Sequence, residues 1–264
     1  MDFDDKQIIY VSSLNRTSGI SNDFLYSFTI DQNAPYDHIG VLAASIPKSY
    51  YLIDDYNDTF TLSESGVQVV ISIPHGNYTL TAWKNILANR ITIGSPHGWI
   101  YSVSSSLNNS VNTGYLTFTV TGNGGIQPIF IFGEALYVQM GFDQSIYHFV
   151  ANSLTSINVI NLQLINALLI HCDLCDNRSD SVLQDIYSNT ADYSYITYQS
   201  TELLSYAKPL TIKNNWVCRF YLTDNENNPI NLNGLEWNMT VIFFKKNDIF
   251  NMIKNFIKLS ILQQ

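Results

Sequence analysis

The sequence predicts an all-β protein, either a sandwich or a barrel. Three observations support this: many short strand-like runs bounded by Asn, Asp, Gly and Pro, few helical segments, and 46% hydrophobic residues against 13% charged ones. The charged share lies well below the usual value of about 25%, which excludes a disordered chain or a coiled coil. A length of 264 residues is ample for a large core.

The predicted strands are runs of alternating or continuous apolar residues. They fall at residues 24–30, 38–46, 59–62, 67–73, 98–103, 115–120, 128–132, 156–162, 164–171, 201–206, 216–222 and 236–244. Residues 63–66 predict a hairpin with a four-residue loop, and residues 104–114 predict a longer polar loop.

Only three segments have helical spacing. Residues 79–91 carry apolar side chains three and four positions apart, with Thr79 as a candidate N-cap. Residues 134–140 predict a two-turn helix closed by Gly141. Residues 249–262 predict an amphipathic basic helix or a fraying tail.

The charge distribution argues against a nucleic-acid-binding protein. The net charge is −9, although residues 245–264 hold four lysines and one acid. No apolar run reaches 18 residues and the acidic N-terminus has no apolar leader, so we expect a protein that is neither membrane-spanning nor secreted.

The three cysteines predict no metal site. Cys172 and Cys175 form a Cys-x-x-Cys pair and Cys218 lies elsewhere, whereas a four-ligand zinc site normally needs two such pairs or a His pair. If the strand at 164–171 continued, Cys172 and Cys175 would point to opposite faces. We therefore expect buried free cysteines.

No motif predicts an enzyme or a cofactor. The five histidines are isolated, and neither Gly-x-Ser-x-Gly nor His-Glu-x-x-His occurs. Asp54 and Asp55 are neighbouring carboxylates that could act as an acid–base pair, but in a polar loop they are interpreted as solvated.

Five segments, in order along the chain, carry a resemblance. They are Ile46-Pro47-Lys48-Ser49-Tyr50-Tyr51 at the exit of a strand, Ile73-Pro74-His75-Gly76-Asn77-Tyr78-Thr79 before a helix, the helix end at 137–142, the paired strands at 161–174, and a final hairpin at 220–237. Together they resemble the jelly-roll capsid proteins of large DNA viruses and their virophage or polinton-like relatives. Lys48 and the His171-Cys172 pair match no functional position of that family.

The resemblance implies a single jelly roll of eight core antiparallel strands, because the two-roll major capsid proteins are far longer. It implies an N-terminal arm at 1–20, a domain at 21–247 with insertions around 48–97, and a tail at 248–264. Within that family, the member with a single jelly roll is the penton protein, which this chain therefore resembles. A non-enzymatic subunit is therefore expected, which forms homopentamers at the five-fold vertices of a virion and assembles in the host cytoplasm or nucleus.

Two segments are candidates for contacts. Tyr50, Tyr51, Leu52, Ile53 and Tyr56 are candidate contacts with the neighbouring major capsid protein; the alternative is that they pack onto their own sandwich. In the tail, Lys254, Phe256 and Lys258 are candidates for contact with a minor capsid protein, the genome or an internal membrane. The alternative for the tail is a helix folded onto its own domain.

Two other functions stay open. The chain could be a cement protein seated between capsomers, or a trimeric fibre-type sandwich that binds a receptor or a glycan through exposed aromatic residues. Oligomeric state distinguishes the three, because pentamers indicate a penton, monomers a cement protein and trimers a fibre.

Overall fold

The computed structural model describes residues 6–29, 36–133, 136–163, 167–175, 181–187, 190–211 and 217–245. Antiparallel strands are the predominant secondary structure of these residues. The chain divides into two compact units, the first drawn from residues 1–50 and 165–264 and the second from residues 51–164. In the described ranges, no helix is long and apolar enough to cross a membrane.

The first unit contains two five-stranded sheets. One sheet consists of β1 (Lys6–Ser12), β4 (His38–Pro47), β14 (Tyr195–Gln199), β15 (Lys208–Pro209) and β17 (Asn238–Phe244). The other consists of β2 (Ser18–Ile20), β3 (Asp23–Ser27), β12 (Ala167–Cys172), β13 (Val182–Tyr187) and β16 (Val217–Thr223).

Eight of these strands are paired in a nested order, the first with the last. Along the chain, β1 pairs with β17, β3 with β16, β4 with β14, and β12 with β13, all antiparallel. The pairs β17–β4 and β16–β12 then join them into the orders β1-β17-β4-β14 and β13-β12-β16-β3. This is the topology of a jelly roll. The predicted single jelly roll with eight core strands is confirmed.

The two sheets pack face to face through aromatic side chains. Phe24 of β3 lies edge-on to Trp237, with ring centroids 5.8 Å apart, and Phe28 lies edge-on to Phe243 of β17 at 5.2 Å. Phe220 of β16 contacts both Phe24 and Phe28. All five side chains are buried, so this aromatic layer forms the centre of the sandwich.

The second unit has two smaller sheets and its own core. One sheet has the order β10 (Ile146–His148), β9 (Ile129–Ile131), β5 (Thr59–Glu64), β6 (Val67–Ser72), and the other β11 (Ser153–Thr155), β8 (Val111–Thr121), β7 (Ile100–Asn108). Phe60, Phe118, Phe130, Phe132 and Phe142 pack together at its centre. In the sequence, this unit stands between the third and fourth core strands of the jelly roll.

Helix α1 (Leu80–Gly94) packs against β6 and β7. It buries Trp83, Leu87 and Ile91, which are four residues apart and therefore lie on one face. The predicted N-cap is confirmed, because the Thr79 side chain accepts a hydrogen bond from the backbone N–H of Ala82. The insertion thus contains the predicted hairpin followed by a helix.

Helix α2 (Leu136–Met140) ends as predicted at Gly141. Gly141 has a φ of +77°, and a Cβ there would lie 2.4 Å from the carbonyl oxygen of Asn158. Asn158 belongs to residues 156–162, which the sequence predicts as a strand. In the structure this segment is not a strand, because the backbone N–H groups of Ile157 and Asn158 donate hydrogen bonds to the Gly141 carbonyl at the end of α2.

Three further predictions are corrected. The β5–β6 hairpin has a two-residue turn, because Ser65 and Gly66 both adopt positive φ and the strands pair up to Glu64 and Val67. Strands β7 and β8 extend through the predicted loop at 104–114. Residues 203–206 form helix α3 (Leu203–Tyr206) instead of a strand, and Gly40 of β4 leaves the space that the Leu203 side chain occupies.

Strand β1 lies within the segment predicted as an N-terminal arm, and the expected domain bounds stay a prediction.

Next to β1, a 3₁₀ turn at Ser13–Asn15 is hydrogen-bonded to the residues before β17. The backbone N–H of Ser13 donates a hydrogen bond to the Trp237 carbonyl, and the backbone N–H of Trp237 donates one to the Ser13 hydroxyl, both at 2.9 Å. Glu236 accepts hydrogen bonds from the Ser13 hydroxyl and from Arg16 Nη1 at 2.8 Å. Although partial burial opposes it, these bonds lower the pKa of Glu236.

We expect Trp237→Phe to destabilise the protein by about 2 kcal/mol. The change removes the buried 2.7 Å hydrogen bond from the indole Nε1 to the Ser21 carbonyl, and that carbonyl then has no water to replace the lost donor. It also leaves a small cavity beside Phe24. Urea denaturation measures the loss. Tyr187→Phe, at an exposed position, is the control and should change stability by less than about 0.5 kcal/mol. Equal stability of Trp237→Phe and the wild type would contradict this role.

We expect Glu236→Gln to destabilise the protein at pH 7 but not in acid. A carboxylate with a lowered folded-state pKa contributes stability above its unfolded pKa of about 4.5, and loses it as the pH falls through the folded value. The difference in urea midpoint from the wild type should therefore shrink below pH 4.5. Glu202→Gln, on an exposed residue, is the control. A difference that stays constant with pH would show that the charge of Glu236 is not involved.

Candidate functional site

The five residues predicted to contact a neighbour differ in exposure. Tyr50, Leu52 and Ile53 are buried, and Leu52 and Ile53 belong to the hydrophobic core of the second unit. Tyr51 is half-buried, and Tyr56 is 60% exposed. Contact with a neighbouring capsomer stays a prediction, and Tyr56 is the residue of this segment most accessible to a partner.

Lys48 is held in the interior of the first unit. Its ammonium group donates to the carbonyl oxygen of Thr190 at 2.7 Å and lies 3.5 Å from Asp192 Oδ1. A buried ammonium requires such partners, so Lys48 fastens the end of β4 to the segment that leads into β14. Burial, together with the charge of Asp192, raises the pKa of the nearby Tyr50 to about 12.

The neighbouring carboxylates Asp54 and Asp55 both lie near His75. The Asp54 side chain accepts the backbone N–H of Tyr56 at 3.0 Å, and burial raises its pKa. Asp55 is largely exposed and lies 3.6 Å from His75 Nε2. The Asp54 hydrogen bond closes a turn in this loop.

The outer strands of the jelly roll form one candidate surface. Each of the four strands at the edges of the two sheets carries an exposed apolar or tyrosine side chain. These side chains are Ile8 and Tyr10 on β1, Ile20 on β2, Tyr187 on β13 and Tyr195 on β14. An edge strand presents unpaired backbone groups, which proteins usually protect with charged side chains. Strands β2 and β14 contain no charged residue, so these edges are suited to contact with another polypeptide.

A second candidate site lies where β12 ends. The strand stops at Cys172, and the chain turns so that the backbone N–H of Cys175 donates to the Cys172 carbonyl at 3.2 Å. The strand does not continue to Cys175, so the condition under which the two cysteines would point to opposite faces is not met. On the adjacent strand β16, the Cys218 sulfur lies 3.0 Å from the Cys172 sulfur. All three cysteines are free and buried.

The cysteine turn, residues 172–175, places soft and hard ligand atoms together. The Cys172 and Cys218 sulfurs and a carboxylate oxygen of Asp173 all lie within 4.8 Å of one another. Burial raises the pKa of the Cys172 and Cys218 thiols, whereas at Cys175 the hydrogen bond with Cys172 is the main cause of a raised pKa and burial adds to it. Without a bound cation, the three thiols are therefore protonated at neutral pH.

His171 does not belong to this group of ligand atoms. Its ring stacks on Tyr221 with centroids 4.3 Å apart. Its Nε2 lies 2.8 Å from the Thr223 hydroxyl, and its Nδ1 lies 3.3 Å from the Ser181 hydroxyl. Both nitrogens are thus engaged, and the buried His171 side chain links β12 to β16 through Thr223 and Tyr221.

Comparisons with known proteins give a limited result. No family model and no curated protein matches this chain. Among solved structures, the chain is similar to the selenomethionine-labelled mavirus penton protein, with 13% sequence identity and a TM-score of 0.39. The match covers 90% of this chain and 99% of that one. A TM-score this low carries no argument about function, and the jelly-roll assignment rests on the strand topology.

Parts of both candidate sites escaped the sequence analysis, including the edge strands β13 and β14. The edge residues of β1 lie in a segment interpreted as an arm, although Gln7, Ile9 and Val11 alternate there with Ile8 and Tyr10. The proximity of Cys172 and Cys218 depends on the β12–β16 register, which cannot be deduced from the pattern of a single sequence. The tail residues Lys254, Phe256 and Lys258 lie outside the described residues.

Proposed function

We propose that this protein is a structural capsid protein, the penton subunit that forms homopentamers at the five-fold vertices of an icosahedral virion. The observation that carries the proposal is a single eight-stranded jelly roll whose edge strands expose apolar and tyrosine side chains with few charges. The order of the family-like segments supports it. They fall at the exit of β4, between β6 and α1, at the end of α2, along β12, and from β16 to the start of β17.

Assembly would proceed by burial of surface between identical subunits. In a pentamer, one edge of each copy contacts a different edge of the next, and such a heterologous contact closes a ring when the rotation fits five copies. Side chains such as Tyr10 and Tyr195 bury apolar area without the desolvation cost of a charge. A charged fraction of 13% suits this mechanism, and no catalytic step is involved.

The proposed environment is the vertex of the virion shell. There, the exposed Tyr56 and the half-buried Tyr51 are the residues of the 50–56 segment available to the neighbouring major capsid protein. Minor capsid proteins are further proposed partners. The net charge of −9 supports a protein without specific nucleic-acid recognition.

Native mass spectrometry and electron microscopy of the purified full-length chain test the assembly. We expect five-fold rings, and we expect Tyr195→Ser or Tyr10→Ser to weaken subunit association by about 2 kcal/mol, roughly 30-fold in Kd, because each removes a buried aromatic contact. Ile93→Ser is the matched control, since Ile93 is 70% exposed on α1 and lies on no edge strand. Tyr56→Ser should leave the rings intact and weaken contact with the major capsid protein.

The oligomeric state separates this proposal from its alternatives. A chain that stays monomeric at high concentration would contradict the penton and favour a cement protein, whereas stable trimers with measurable glycan affinity would favour a fibre. Rings that are unaffected by both edge substitutions would show that the contacts lie on another surface.

We further propose that the basic tail at 248–264 faces the interior of the particle. Its two lysines, Lys254 and Lys258, flank apolar residues such as Phe256, a composition suited to an anionic lipid surface or to an acidic partner. Deleting residues 248–264 should leave pentamers intact and lower their incorporation when they are co-expressed with the virus's other capsid proteins. Lys254→Gln with Lys258→Gln separates charge from apolar contact. Normal incorporation of the truncated chain would refute this role.

A further inference from the structure

We propose that the sulfurs of Cys172 and Cys218 and the carboxylate of Asp173 form a binding site for a divalent cation that prefers sulfur ligands, with Zn²⁺ as the expected ion and Cys175, in the same turn, as a further ligand. The site lies wholly within the jelly-roll unit and does not depend on the proposed capsid function.

The local backbone has the form that a two-cysteine metal turn requires. Cys172 ends a strand, two residues follow, and Cys175 returns to the Cys172 carbonyl, so both sulfurs come to the same turn.

The third sulfur comes from the adjacent strand. Cys172 pairs with Phe220 in the β12–β16 register, and Cys218 lies two residues before Phe220, with its side chain on the same buried face of β16. Tetrahedral ligation at about 2.3 Å places two sulfurs roughly 3.7 Å apart. The observed separation of 3.0 Å therefore has to widen by roughly 0.7 Å, which a small rotation of either side chain achieves.

Asp173 supplies the fourth ligand and the route from solvent. Unlike the cysteines, it is only half-buried, so a cation can reach the sulfurs past its carboxylate. Its Oδ1 accepts a hydrogen bond from the backbone N–H of Arg219 at 2.9 Å. This bond orients the carboxylate, as hydrogen bonds to metal-ligating side chains commonly do. The segment after Lys208 reaches the turn directly, because Leu210 forms a β-bridge with Cys175.

The chemistry of the site is ligand exchange without oxidation. Zn²⁺ replaces the thiol protons, which pass to solvent, and no electron is transferred. The competing arrangement is a disulfide between Cys172 and Cys218, which would need an oxidant and a sulfur separation of about 2.05 Å. Both cysteines are free in the structure.

Cobalt substitution of the untagged full-length protein tests the proposal. The chain is refolded without metal in a phosphine reductant and titrated with Co²⁺ and then with Zn²⁺. We expect sulfur-to-cobalt charge-transfer bands and the visible bands of tetrahedral Co²⁺, saturating at one ion per chain and lost on addition of Zn²⁺. Free Zn²⁺ at about 100 times its Kd should raise the Tm by roughly 5 °C.

Substitutions locate the ligands. Cys218→Ser and Cys175→Ser should each abolish the charge-transfer bands or lower the affinity at least 100-fold, and Asp173→Asn should lower it by roughly 10-fold. Asp185→Asn, on the neighbouring strand β13, is the control and should leave the titration unchanged. If a cysteine variant fails to fold, X-ray absorption of the zinc-loaded wild type still decides, since a sulfur shell at about 2.3 Å is required.

Three results would overturn the assignment. One is a cobalt spectrum without sulfur-to-metal charge transfer in fully reduced protein. Another is binding that Cys218→Ser and Cys175→Ser leave unchanged, and the last is a zinc shell of nitrogen and oxygen alone.

Discussion

The pairing of the first strand with the last is the constraint on which the jelly roll depends. Strand β1 has a neighbour only because β17, more than two hundred residues later, runs antiparallel beside it. The same nesting holds for β3 with β16, and the aromatic layer around Phe24, Phe220 and Trp237 exists only when both pairs have formed. These contacts are far apart in sequence, so forming them costs much conformational entropy. The free energy gained by burying the apolar area of that layer must offset this cost.

The same nesting explains where a large insertion is tolerated. Residues 51–164 stand between β4 and β12, strands of different sheets that are not paired with each other. An insertion at that point breaks none of the four antiparallel pairs. Closure entropy rises only slowly with loop length, and the insertion builds its own core around Trp83, Phe118 and Phe130, so it folds as a compact unit instead of a long loop.

The sequence identified the elements whose side chains alternate between core and surface, and it failed where tertiary pairing decides. Strands β3, β4, β16 and β17 and helix α1 follow simple periodicity and were predicted within a few residues. The edge strands β1, β13 and β14 expose apolar side chains on the face where a polar residue is expected, so their pattern is weak. The convergence of Cys172 on Cys218 is set by register, and a one-residue slip of β12 would point its thiol away from the core.

Exposed edges with few charges raise the question of why such a chain would form closed rings instead of aggregates. The surface has two properties that favour directed contacts. The net charge of −9 opposes close approach of copies in arbitrary orientations. The exposed tyrosines, among them Tyr10, Tyr187 and Tyr195, combine an apolar ring with a hydroxyl that needs a hydrogen-bond partner when it is buried. A contact that satisfies these hydroxyls is therefore selective in geometry, and a selective heterologous contact yields a closed ring when its rotation divides a full turn by a whole number.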